Sequence, residues 1–227
     1  MLPDKGLAFH EFLLRACHDL TTPLRSVRAN AELLLRAPEK RHGPEFEQIL
    51  GFIRDGAQKM DSLVDGLSSY ALALRISQNT FQQAPTGVLL RSALAKLAPE
   101  LGTAHAEVTY DELPYVAGDP DRLLQLFENL LRNAIQHRGP AAPQIHVSAR
   151  HQEDGWLFAV RDNGPGVDTE DLERIFRPFE RLSRSGSAGV GLGLAICREI
   201  VDRHGGKIWA ESNADGGCTF FFTLRAA

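Results

Sequence analysis

The run Asp162-Asn-Gly-Pro-Gly-Val167 and, downstream of it, Gly189-Val-Gly-Leu-Gly193 hold the residue types that a nucleotide pocket needs. A carboxylate such as Asp162 can accept a hydrogen bond from an adenine amino group, and Gly164 and Gly166 let backbone approach a ligand closely. Gly189, Gly191 and Gly193 open an apolar-periodic segment. The free N–H groups and positive dipole end of a helix starting there can receive phosphate oxygens. Asn129 and Asn133 are spaced i, i+4, so a helix stacks them on one face, where two amide oxygens can serve a hard cation such as Mg2+. Near the start, His18 stands beside Asp19, with Thr22 one helical turn on. A neutral imidazole is a good nucleophile near neutral pH, and a neighbouring carboxylate can take its proton or hold its tautomer.

These groups need elements to hold them. Phe9, Phe12, Ala16, Leu20, Leu24, Val27, Ala31 and Leu34 recur at three- and four-residue steps, which predicts a long amphipathic helix. His18 lies about 200° around that helix from Ala16, at about 100° per residue, and so faces solvent. Pro23 removes a backbone donor and crowds the carbonyl of Asp19, which predicts a kink. A second stripe runs through Phe46, Ile49, Ile53, Met60, Leu63, Leu67, Tyr70 and Leu74, after a breaker at 37–44. The pair makes an antiparallel helical hairpin over residues 1–76. Its apolar seam is buried most simply by a second copy, giving a four-helix bundle and a homodimer.

Residues 77–85, rich in Gln, Ser and Asn, are expected to be a linker, with a second domain over 86–227. That domain is predicted to hold helices at 88–97, 120–137 and 192–204, the middle one capped by Asp119. Strands are predicted at 107–110, 115–117, 145–150, 156–161, 207–211 and 219–224. Mixed in this way they form an α/β sandwich. Residues 167–188 lack an apolar stripe and are expected to be a mobile lid.

A chain of 227 residues, 43% hydrophobic, can bury a core in each of two modest domains. Its formal charge of -4 gives no electrostatic reason to expect nucleic acid, and no basic block suggests a membrane surface. Cys17, Cys197 and Cys218 are odd in number and far apart, which argues against a disulfide framework or zinc cluster and for a reducing, cytoplasmic setting. No apolar run approaches the roughly 18 residues of a membrane span, and no signal peptide is visible, so this segment is expected to make no membrane contact.

Taken in order, these strings resemble the core of a bacterial sensor histidine kinase, over residues 9–224. His18-Asp-Leu-Thr-Thr-Pro-Leu-Arg25 is similar to the family's phosphoacceptor box, in the variety found in phytochrome-like kinases. The resemblance implies that His18 accepts the γ-phosphoryl group of ATP, that Asp19 assists, and that Thr22 orients water for dephosphorylating a partner regulator. The string around Asn129 and Asn133 is similar to the asparagine box, implying Asn129 as a Mg2+ ligand and Asn133 as a contact to metal or phosphate. Where many relatives carry a phosphate-touching lysine, this chain has Gln136, which supplies a hydrogen bond but no charge. His137 lies where the family often places an aromatic ring or histidine near ribose and adenine.

Asp162, Gly164 and Gly166 match the first glycine box, and Gly189, Gly191 and Gly193 match the second. Gly216-Gly-Cys-Thr219 resembles the last, implying that Thr219 belongs to the nucleotide site. Phe176 and Phe179 match the phenylalanine box that anchors the lid, and Arg181 matches a lid arginine that reaches the γ-phosphate. The molecule so implied is a dimeric hairpin domain followed by an ATP-binding sandwich of the Bergerat/GHKL type. It would use ATP and Mg2+, pass its phosphoryl group to an aspartate on the receiver domain of a response regulator, and also be able to remove it. Two other readings stay open: a nucleotide-binding dimeric scaffold with weak or no kinase activity, and a gyrase- or Hsp90-like ATPase.

Overall fold

Pro23 lies inside a single helix, α1 (Lys5–Arg36), and its ring is buried. The computed structural model describes residues 5–36, 43–182 and 190–227. Beside the proline, the Thr21 and Thr22 hydroxyls donate back to the carbonyls of Cys17 and His18, at 2.6 and 3.2 Å. The second helix, α2 (Pro44–Ala73), starts with Pro44 in its first turn and Glu45 and Glu47 beside it. Proline costs nothing where the N–H is an orphan anyway, and the acids suit the positive end of the helix dipole. The two helices meet closely at Gly56, where a Cβ would stand 2.6 Å from Val27 Cγ2 and 3.3 Å from the Pro23 carbonyl oxygen. Ala16, Ile49 and Leu63 are buried, while Leu14, Leu24, Leu35, Phe52 and Val64 are exposed. The hairpin alone therefore leaves much of its apolar surface in water.

The chain divides into two compact units, Met1–Ser68 and Ser69–Ala227. The stretch expected to be a linker is structured at both ends. Ser77 caps a short 3-10 turn at Gln78–Thr80, and β1 (Gln82–Pro85) pairs antiparallel with β3 (Tyr115–Gly118). Only Ala84 of β1 is buried, so the strand has no apolar alternation to betray it. After β1 come α3 (Thr86–Lys96), α4 (Ala98–Ala104), β2 (Glu107–Tyr110), β3, α5 (Pro120–Gln136), β4 (Gln144–Gln152), β5 (Gly155–Asp162), α6 (Gly193–Arg203), β6 (Ile208–Ser212) and β7 (Cys218–Leu224). Helix α4 was not expected, because seven residues are too few to show a helical period.

A five-stranded sheet in the order β2-β4-β5-β7-β6 is antiparallel except for the β2–β4 pair. Its alternation puts Phe158 and Phe222 on one face, stacked at 4.9 Å. Phe127 of α5 meets both rings edge-on at 6.3 and 6.1 Å. Leu123, Leu126, Leu130, Leu131, Ala134 and Ile135 complete the buried side of α5. Asp119 caps this helix as its sequence predicts, accepting from the N–H groups of Asp121 and Arg122. The fold is thus a helical hairpin followed by a mixed-sheet α/β domain. Among the described residues, no helix is long and apolar enough to cross a membrane.

Candidate functional site

His18 is on the open side of α1, its side chain 80% exposed, while Ala16 two residues earlier is buried. Its Nδ1 lies 3.0 Å from Asp19 Oδ1. A carboxylate is an acceptor only, so the proton of that bond sits on Nδ1 and the lone pair of the neutral ring is on Nε2. Thr22 is exposed one turn away, its hydroxyl on the His18 carbonyl. The structure therefore brings His18, Asp19 and Thr22 to one solvent-facing patch.

In the second unit, Asp162 ends β5 and is buried. Its Oδ1 accepts from Gly164 N at 2.8 Å and Cys218 N at 3.1 Å, while Oδ2 has no hydrogen-bond partner among the described residues. Burial raises the carboxyl above its usual range, against the two N–H donors and His137, which lower it. Gly164 is at a close approach: a Cβ would stand 2.9 Å from both Asp162 Oδ1 and the His137 carbonyl oxygen. His137 caps the C-terminal end of α5. Its imidazole is held below the ordinary value by partial burial and by the Arg181 cation, with Asp162 opposing. His137, Asp162 and Arg181 thus share one electrostatic neighbourhood.

Asn129 and Asn133 project from α5, half-buried and one turn apart. The amide nitrogen of Asn129 reaches the Gly193 carbonyl at 3.4 Å, which joins α5 to the first residue of α6. Its oxygen, and the amide of Asn133, have no hydrogen-bond partner among the described residues. Among the described residues no side chain caps α6, which leaves the N–H groups of its first turn without a side-chain acceptor there. Just before it, Gly191 has φ +77°, and a Cβ there would stand 2.9 Å from the Glu180 carbonyl oxygen. The Gly191 carbonyl accepts from Phe179 N at 2.8 Å, and Phe179 itself has φ +63°. Gln136 ends α5 and is exposed, as is Arg181. Gly189 lies outside the described residues.

The stretch expected to be a lid makes side-chain contacts along residues 167–182: Glu173 accepts two hydrogen bonds from Arg198 at 2.7 and 3.2 Å, and Arg174 pairs with Asp171 and Glu180. Phe176 is buried edge-on to Phe220, with the Arg198 guanidinium 4.6 Å above its ring. Ion pairs and single aromatics do this without an apolar stripe. The rest of the expected lid, 183–189, lies outside the described residues.

Thr219 is not brought to Asp162; its hydroxyl donates to Asn213 Oδ1 at 2.8 Å. Strand alternation explains this, since Phe220 and Phe222 face the core and residue 218 shares their side. The residue at Asp162 is Cys218, buried, its thiol pushed up to about 12 by burial and by the Asp162 charge. Counting back by twos from the phenylalanines would have found it in the sequence.

The side chains suit a nucleotide with a hard cation. Among the described residues one oxygen of a fixed carboxylate is open, glycines occupy places a Cβ would fill, a helix N-terminus has no side-chain cap, and two amide groups lie one turn apart. Amide oxygens are the donors that Mg2+ takes alongside water and phosphate. Among the described residues no cluster of three or more His, Cys, Asp or Glu could hold a metal by itself.

Residues 10–72 match the family model "His Kinase A (phospho-acceptor) domain", and residues 118–227 match "Histidine kinase-, DNA gyrase B-, and HSP90-like ATPase". Cyanobacterial phytochrome A of Nostoc sp. (strain PCC 7120 / SAG 25.82 / UTEX 2576) is 38% identical over 215 residues, covering 94% of this chain and 28% of that protein. Phytochrome-like protein Cph1 of Synechocystis sp. (strain ATCC 27184 / PCC 6803 / Kazusa) is 36% identical, covering 94% and 29%. The chain therefore spans under a third of the length of these relatives. Among solved structures, the catalytic domain of histidine kinase ThkA is 30% identical with a TM-score of 0.56, covering 64% of this chain and 95% of that one. Histidine kinase ThkA in complex with response regulator protein TrrA shares the fold, at 23% identity and TM-score 0.72, over 96% of this chain and 61% of that one.

Proposed function

The chain belongs to the sensor histidine kinases, as a transmitter core, and from that premise we propose that it uses ATP with Mg2+ to phosphorylate its own His18 and hands the phosphoryl group to an aspartate of a response regulator. The observation that carries this is the His18–Asp19 pair: an exposed imidazole whose Nδ1 is held at 3.0 Å by a carboxylate, leaving Nε2 as the nucleophile. The Nε2 lone pair attacks the γ-phosphorus, the bond to the bridging oxygen breaks, and ADP leaves with those electrons. The positive charge that develops on the ring is met at Nδ1–H by Asp19. The transition state is loose, so catalysis is mostly positioning and charge neutralisation.

In the second unit Asp162 Oδ2 receives the adenine amino group and the open first turn of α6 receives phosphate oxygens. Asn129 and Asn133 would hold Mg2+, which supplies charge neutralisation at the phosphates. Gln136, His137 and Arg181 would border this site, a reading supported by the effect of the Arg181 charge on His137. The proposed division of labour is dimerisation and phosphotransfer in 1–76 and nucleotide chemistry in 86–227. The exposed leucines of the hairpin support a homodimer, and the free cysteines suit a cytoplasmic setting. Thr22, one turn from His18, supports a phosphatase activity toward the regulator.

Incubation with Mg2+ and γ-labelled ATP tests the reading. The wild type takes up acid-labile, base-stable label and His18→Gln takes up none. Bound ATP without label in the wild type would favour the scaffold reading, to which the neutral, exposed Gln136 lends support.

A further inference from the structure

The β6–β7 hairpin closes over the Asp162–Val167 loop, and the residue that fastens it is Ser212, the last of β6. We propose that Ser212 is a positioning residue for adenine recognition: its hydroxyl pins the far end of the loop whose near end orients Asp162. This rests on the reading of the second unit as an ATP site.

The loop has little to hold it in shape by itself. Pro165 has no N–H to give, Gly166 sits at φ +79°, and among the described residues no backbone–backbone hydrogen bond closes the turn between Asn163 and Val167. Side chains do the work instead. At the near end Asn163 accepts from Gln144 N at 2.9 Å and donates to the Ala142 carbonyl at 3.0 Å. At the far end Ser212 Oγ accepts from Val167 N at 3.0 Å and donates to the carbonyl oxygen of the same residue. One hydroxyl thus fixes both polar groups of one peptide residue, which sets the position and the rotation of the backbone there.

That backbone lies three residues from Gly164, whose N–H holds Asp162 Oδ1 at 2.8 Å. The second donor to Oδ1, Cys218 N, comes from the other arm of the same hairpin. Between the arms, a Cβ on Gly217 would stand 1.9 Å from the Asp162 carbonyl oxygen, and one on Gly166 would stand 3.2 Å from the Gly217 carbonyl oxygen. Hairpin and loop therefore touch backbone to backbone, and Asn213 N on the Gly217 carbonyl at 3.0 Å closes the hairpin itself. With one donor on Oδ1 supplied by this hairpin and the other by the loop that it pins, Oδ2 is the oxygen left for the ligand. Ser212 touches neither nucleotide nor metal in this scheme; it acts through Gly164 and Asp162.

Ser212 is exposed. Water can therefore satisfy Val167 when the hydroxyl is removed, so the fold survives while the loop loses its fixed rotation. Titration calorimetry with ADP and with GDP, on the full chain in Mg2+, separates the outcomes. In Ser212→Ala the ADP dissociation constant rises about tenfold, the loss of one well-placed hydrogen bond. The GDP constant stays put, because guanine carries a carbonyl where adenine carries the amino group, so the preference for ADP narrows by the same factor. Ser212→Thr, which keeps the hydroxyl, restores affinity and preference to within about twofold. Equal losses for ADP and GDP, or a loss that tracks a lowered Tm and is not rescued by threonine, would overturn the proposal. So would a silent Ser212→Ala in a protein whose wild type binds ADP. A wild type that binds neither nucleotide would instead overturn the ATP reading, and the proposal with it.

Discussion

Replacing Asp162 with asparagine should move stability and affinity in opposite directions. The side chains have the same shape, and the amide oxygen can keep both N–H donors now on Oδ1, from Gly164 and Cys218. The amide nitrogen then takes the place of Oδ2 and presents a donor to the adenine amino group, itself a donor. The lost interaction is a hydrogen bond to a charged acceptor, about 1.5–3 kcal/mol, or roughly 10- to 150-fold in the ADP dissociation constant. Stability follows from the raised carboxyl of buried Asp162. A folded state that holds its proton more tightly than the unfolded chain is favoured below the unfolded pKa, and the advantage is lost as pH rises through the folded pKa. At neutral pH the charged carboxylate is thus a burden that the neutral amide removes. Calorimetric titration with ADP should show the weakened binding, and a thermal melt without nucleotide should show a Tm equal to or above that of the wild type. Asp162→Asn binding ADP within about threefold of wild type, or melting several degrees lower, would refute the argument.

Two further outcomes follow from close contacts. Gly56→Ala gains about 1 kcal/mol of helix propensity but drives a Cβ to 2.6 Å from Val27 Cγ2. Valine has little rotamer freedom in a helix, so the overpacking of about 1–3 kcal/mol wins; a lower urea midpoint, recovered in Gly56→Ala with Val27→Ala, is the expected result. His204 is buried, its Nε2 accepting from Asp119 N at 3.0 Å and its Nδ1 placed 2.7 Å from the Ile200 carbonyl. Burial holds its pKa below 6.5 despite the Ile200 carbonyl and Asp119. Its contribution to stability is therefore present above about 6.5 and lost as pH falls through the folded pKa. Tm should drop between pH 8 and 5.5 more steeply in the wild type than in His204→Gln, which keeps an acceptor but cannot be protonated there.

Features with a local cause were legible in the sequence. The stripes of α1 and α2 carry their own period, Asp119 before Pro120 announces the start of α5, and the place of His18 opposite Ala16 is angular arithmetic. Features that depend on partners far along the chain were not. β1 is a strand because β3 pairs with it, not because Gln82–Pro85 prefers extension. The 167–182 stretch is held by Arg198 of α6 and by Phe220 of β7. Thr219 was chosen from a glycine motif, whereas the face that reaches Asp162 is decided by the register of β7 on β5. Ser212 had no signal of its own, because its role exists only when β6 and the loop after β5 are brought together.

The short β1–β3 ladder has a mechanical side. Gln82, where the chain begins the ladder, is paired with Gly118, and the next two residues are the cap and first residue of the helix that carries Asn129 and Asn133. The stretch before it is moored as well, Phe81 stacked on the His204 ring at 4.4 Å and Gln78 bonded to the Arg203 carbonyl. Gln82 and Gly118 stand at the same end of the antiparallel ladder, so load passing from one to the other falls first on that end pair and opens the ladder from there. A tug on the chain ahead of Gln82 is thus delivered one residue from the foot of α5, with no slack between the rope and the post.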